Sequence, residues 1–169
     1  MIASLNNDYR GTYVVTEENP RTLSISGATV ASIKAIIDAD LSSRTYDPGK
    51  EYRFLINLGI NDGAATESQF KLDYLYIIDA LKVKFPNAEM YLTYPAARNR
   101  EELIIKLASW ISDIVAARST FVHDGDNEAI WFENGDNYTA LSNNNDGLHR
   151  NTTTGQDAEI AAKRAAIGY

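Results

Sequence analysis

Tyr52-Arg53-Phe54-Leu55-Ile56-Asn57-Leu58-Gly59-Ile60-Asn61-Asp62-Gly63 is the stretch from which the fold can be read. A largely apolar run without strict alternation, closed by a glycine, reads as a buried strand of a parallel sheet. Asn61-Asp62-Gly63 behind it is a turn signal. On the C-terminal side, Thr66 and Gln69 have the spacing of a capping box. Phe70, Tyr74, Ile77, Ile78 and Leu81 then continue an apolar stripe at helical spacing, and Phe85-Pro86-Asn87 ends it. Residues 90–94 form the next strand, Leu103, Leu107, Ile111, Ile114 and Val115 mark another helix, and residues 120–123 a further strand.

On the N-terminal side, Val30, Ile33, Ile36 and Ile37 place a helix over residues 28–40, and Asp47-Pro48-Gly49 separates it from the strand. Residues 13–16 and 22–26 are short strand-like runs divided by Glu17-Glu18-Asn19-Pro20. A polar stretch over residues 124–146, interrupted by Ala129-Ile130-Trp131-Phe132, precedes an Ala-rich helix over residues 156–166. The alternation of strands and helices predicts an α/β three-layer sandwich around a mostly parallel sheet. No internal repeat or second domain is visible, so residues 1–169 read as one domain.

Composition narrows the function classes. The net charge of -7, with no basic run, argues against a nucleic-acid partner. Apolar runs of only a few residues argue against a membrane span, and Met1-Ile2-Ala3-Ser4-Leu5-Asn6-Asn7-Asp8 lacks the pattern of a signal peptide. Without cysteine there can be no disulfide, thiolate metal site or cysteine nucleophile, but the compartment stays open.

In parallel sheets of this kind the chemistry gathers in loops at the carboxyl ends of the strands. Ser26-Gly27-Ala28-Thr29 offers backbone N–H groups at a helix start, or a plain N-cap. In Gly59-Ile60-Asn61-Asp62 the asparagine can donate to a developing oxyanion, or the segment is only a turn. Two histidines are present. His149 lies three residues after Asp146, a spacing that lets a carboxylate hold the imidazole as a base. His123, at a strand end beside Asp124, has no partner constellation in the sequence and reads as structural or exposed. The Asn and Asp clusters around Asp124, Asp136 and Asn143 do not match EF-hand spacing and read as solvated loop, so no metal site is expected.

Gly27 after the second strand, Gly59-Ile60-Asn61-Asp62 after the third and Asp146-Gly147-Leu148-His149 before the last helix together resemble the SGNH, or GDSL-type, hydrolase family. The resemblance covers roughly residue 22 to the C-terminus. It implies a flavodoxin-like α/β/α sandwich and a serine ester hydrolase of esterase or acetylesterase type that works through an acyl-enzyme without a cofactor. By the same resemblance, His149 is the base, Asp146 orients it, and Gly27 and Asn61 are oxyanion donors. The expected partner is a small-molecule or carbohydrate ester substrate, and self-association is left open. The alternative is an inactive relative that binds carbohydrate or serves as a structural module.

The departure from the family lies at the start, where no Gly-Asp-Ser block occurs. Either Ser4, in Ile2-Ala3-Ser4-Leu5, is the nucleophile of a decayed block, or the first strand and its serine lie upstream of Met1 and the domain lacks that strand. Residues 13–16 are not expected to replace it, because residues 17–21 are too short for a parallel crossover. An empty slot between the second and third strands would strand buried backbone groups. The slot is therefore expected to be filled by an upstream segment or another chain, or closed by direct pairing of its neighbours.

Overall fold

The computed structural model describes residues 12–15, 21–23, 25, 27–95, 100–127 and 165. In chain order the elements are β1 (Thr12–Val15), β2 (Arg21–Leu23), α1 (Val30–Ser42), β3 (Arg53–Ile56), α2 (Glu67–Lys84), β4 (Glu89–Tyr94), α3 (Glu101–Ala117) and β5 (Val122–Asn127). The strands form one sheet in the order β2-β1-β3-β4-β5. β3, β4 and β5 pair in parallel, whereas β1 runs antiparallel to both β2 and β3. Four strands therefore share one direction and β1 opposes them.

This corrects the expectation for residues 13–16. The slot between β2 and β3 is occupied by β1 from the same chain, with Thr12 opposite Leu23 on one side and Ile56 on the other. A short link excludes a parallel crossover, but antiparallel neighbours need only a hairpin. Reversing the strand direction removes the obstacle that connection length had presented.

Each connection from β2 to β3, β3 to β4 and β4 to β5 passes through a helix and advances the same way across the sheet. Right-handed crossovers then place all three helices on one face. The core agrees: Phe54, Ile56, Met90, Leu92 and Val122, alternate residues of the parallel strands, pack with Ile33, Ile37, Tyr74, Ile77, Ile78, Leu107, Ile111 and Ile114. These helices form one helical layer, and no second layer is seen among the described residues. Of the expected closing helix only Ala165 is described, and it is helical.

Local chemistry accounts for the element ends. Thr29 caps α1 by accepting the Ser32 N–H at 3.2 Å, and Ser32 Oγ accepts the Thr29 N–H at 2.9 Å, a reciprocal box. Thr66 caps α2 by accepting the Gln69 N–H at 3.3 Å, but the Gln69 side chain turns to Asp73 and leaves the box half made. Beyond α2, Phe85 packs against Tyr52 and Phe54, at ring centroid distances of 4.7 and 5.2 Å. The turn read from Phe85-Pro86-Asn87 is thus an aromatic anchor as well as a helix stop.

β5 extends to Asn127, so Asp124 to Asn127 belong to the sheet and not to solvated loop as expected. The pairing with β4 slips between Leu92 and Tyr94. At the slip Gly125 comes so close that a Cβ would lie 2.8 Å from the Leu92 carbonyl oxygen. Among the described residues β5 is the end strand of the sheet, and bulges are common on such strands.

Candidate functional site

The site is built where β2 and β3 run out. After β3 the backbone continues through buried Asn57 and Leu58 to Gly59, whose φ of 120° only glycine adopts without strain. A Cβ there would also meet Leu107 at 3.2 Å and Phe70 at 3.4 Å. The turn closes when the Asp62 N–H donates to the Gly59 carbonyl at 2.8 Å. Ile60 and Asp62 are buried and Asn61 is exposed, so the segment read as either a turn or a donor site is a turn that presents one amide outward.

That amide reaches the neighbouring loop. Asn61 Nδ2 donates to the Ala28 carbonyl at 3.1 Å, which brings it beside Gly27. Gly27 is exposed with φ 71°, and a Cβ there would meet nothing within 4 Å. The two glycines thus serve differently: Gly59 fits a crowded packing site, while Gly27 borders open space. Because a carboxamide carries two N–H bonds, Asn61 keeps a second donor beyond the one given to Ala28.

Asp62 fastens the same two loops from below. Its carboxylate accepts the Val30 N–H on both oxygens, at 3.2 and 3.1 Å, where the first turn of α1 has donors without helical partners. Burial pushes its pKa up to about 6; the Val30 N–H pulls the other way and the Asp73 charge adds to the rise. Burial also raises the Tyr74 hydroxyl, with the charge of Asp62 contributing.

α3 holds the loop from the other side. Arg100, the N-cap of α3, makes no side-chain cap and instead donates from Nη1 to the Ile60 carbonyl at 2.8 Å. Lys106 Nζ donates to the Gly63 carbonyl at 3.0 Å and lies over the Trp110 ring. Sequence reasoning missed both residues, since nothing local marks a cation whose partner is a distant backbone carbonyl.

Of the residues expected at the site, Gly27 and Asn61 are thus brought to one edge. Ser4, Asp146 and His149 lie outside the described residues, and so does the expected hydrogen bond between Asp146 and His149. His123, read as structural or exposed, is half-exposed and pairs within the sheet: its Nε2 lies 2.5 Å from Glu89 Oε2 and its ring is 5.2 Å from that of Tyr91. This pair sits on the sheet face opposite the helices, towards the amino ends of β4 and β5, away from Asn61. Among the described residues no group of three or more His, Asp or Glu could hold a metal ion, and no helix is long and apolar enough to cross a membrane.

No family model matches the chain. A search of characterised proteins likewise finds no match. The geometry at the carboxyl edge therefore has to carry the functional reading.

Proposed function

We propose that the chain is a serine ester hydrolase of SGNH type, acting on a small-molecule or carbohydrate carboxylic ester. The observation that carries this reading is the hydrogen bond from Asn61 Nδ2 to the Ala28 carbonyl, which places a side-chain amide beside an open glycine at the carboxyl edge. In the proposed reaction Ser4 Oγ attacks the ester carbonyl while His149, oriented by Asp146, takes its proton. The Gly27 N–H and the second Asn61 N–H stabilise the oxyanion, His149 returns the proton to the leaving alcohol, and water releases the acid.

The second reading is an inactive module of the same fold that binds carbohydrate. It is favoured by β1, which fills antiparallel the position between β2 and β3 from which a parallel strand would deliver a nucleophile.

A serine-directed fluorophosphonate separates the two. Labelling at Ser4 that is lost in Ser4→Ala, together with ester turnover lost in His149→Ala, supports the hydrolase. Sugar binding without labelling of any serine supports the module.

A further inference from the structure

We infer that Arg100 is a positioning residue, one that sets the orientation of the Asn61 amide through the backbone of the loop they share; its catalytic meaning rests on the hydrolase reading above. Asn61 is exposed and, among the described residues, its side chain is fixed by one hydrogen bond, to the Ala28 carbonyl. Its peptide plane on the N-terminal side contains the Ile60 carbonyl, which accepts the Arg100 Nη1 hydrogen bond at 2.8 Å. Rotation of that plane would swing the Asn61 Cα–Cβ bond and carry Nδ2 away from Ala28. A guanidinium on a carbonyl is a charge-assisted bond, stronger than a neutral one, and it satisfies an acceptor next to a buried side chain.

The other contacts of the loop act elsewhere. Asp62 and Gly59 close its turn, and Lys106 holds Gly63, beyond Asn61. Arg44, Arg53 and Arg118 each pair with a carboxylate, of Asp40, Glu51 and Asp79 respectively, whereas Arg100 donates to the Ile60 carbonyl of the loop. Arg100 itself is exposed, and its replacement opens no core cavity.

The experiment compares amide spectra of the ¹⁵N-labelled full chain with those of Arg100→Gln, Arg100→Lys and Lys106→Met, alongside thermal melts. In Arg100→Gln the Asn61 side-chain signals should move towards those of a free carboxamide while the melting temperature holds, and Arg100→Lys should restore part of the shift. Unmoved Asn61 signals in Arg100→Gln, or equal movement in Lys106→Met, would overturn the assignment. If the protein turns over p-nitrophenyl acetate, Arg100→Gln should lower kcat with KM unchanged. Absence of turnover in the unsubstituted chain counts against the hydrolase reading alone, because the spectra test the positioning role without it.

Discussion

The carboxylate of Asp62 accepts the N–H of Val30 on both oxygens, so a residue of the loop after β3 terminates the N-terminal end of α1, 32 positions earlier in the chain. One buried acid therefore joins the two loops that present Gly27 and Asn61. Its neighbours Gly59 and Asn61 become legible as parts of the same device: glycine makes the turn, aspartate locks it to α1, and asparagine is left at the surface.

Asp62 gives the fold a pH dependence opposite to that of most carboxylates. Its pKa rises from 3.8 to about 6 on folding, so the folded state binds the proton more tightly and this contribution to stability is lost as pH climbs between those values. At roughly 1.4 kcal/mol per unit, the penalty reaches about 3 kcal/mol above pH 6. Asp62→Asn keeps an acceptor for Val30 without the charge. Urea titrations at pH 4 and pH 7 should show the variant gaining on the parent by about 2 to 3 kcal/mol at the higher pH.

Asp73 behaves in the opposite sense. Burial alone would raise its carboxyl, but hydrogen bonds from Lys34 at 2.6 Å and Gln69 at 2.9 Å, with the charge of Lys34, hold it below the usual carboxylate range. Its contribution is present near neutral pH and fades in acid. Lys34→Met should cost about 1 to 3 kcal/mol at pH 7, because it leaves a buried charge with less compensation. In chemical denaturation that loss should shrink as pH falls below 4.

Gly125→Ala tests the bulge. The added Cβ would sit 2.8 Å from the Leu92 carbonyl oxygen, a backbone atom that cannot swing aside, so β4 and β5 must separate. Overpacking of this kind costs about 1 to 3 kcal/mol. Gly27→Ala meets no neighbour within 4 Å and should be penalised only by its φ of 71°. Melting temperatures of the two variants should rank accordingly, with Gly125→Ala lower.

Asn61→Ala tests the proposed chemistry. Removing an oxyanion donor lowers kcat by about 10²- to 10³-fold. The lost hydrogen bond to Ala28 costs only about 1 kcal/mol of stability. Turnover of p-nitrophenyl acetate that persists unchanged in pure Asn61→Ala would reject an oxyanion role for this residue, whatever the nucleophile.

The sequence by itself determined where the described helices and most of the strands lie, because those signals are local. The spacing of Phe70, Tyr74, Ile77, Ile78 and Leu81 marks the buried side of α2 whatever it packs against, and residues 52–58 read as a buried strand from apolar content alone. Gly27 and Asn61 were likewise legible as strand-end residues. Only the tertiary structure decided that Asn61 reaches Ala28, that Arg100 grips Ile60, that Asp62 caps α1 and that His123 meets Glu89. These partners lie 32 to 40 residues apart, and no local pattern encodes them. The position of β1 is the clearest case. Residues 12–15 carry a strand propensity that any sheet could use. Their antiparallel place between β2 and β3 follows from a non-local requirement, that backbone donors and acceptors on both sides of an interior slot be paired.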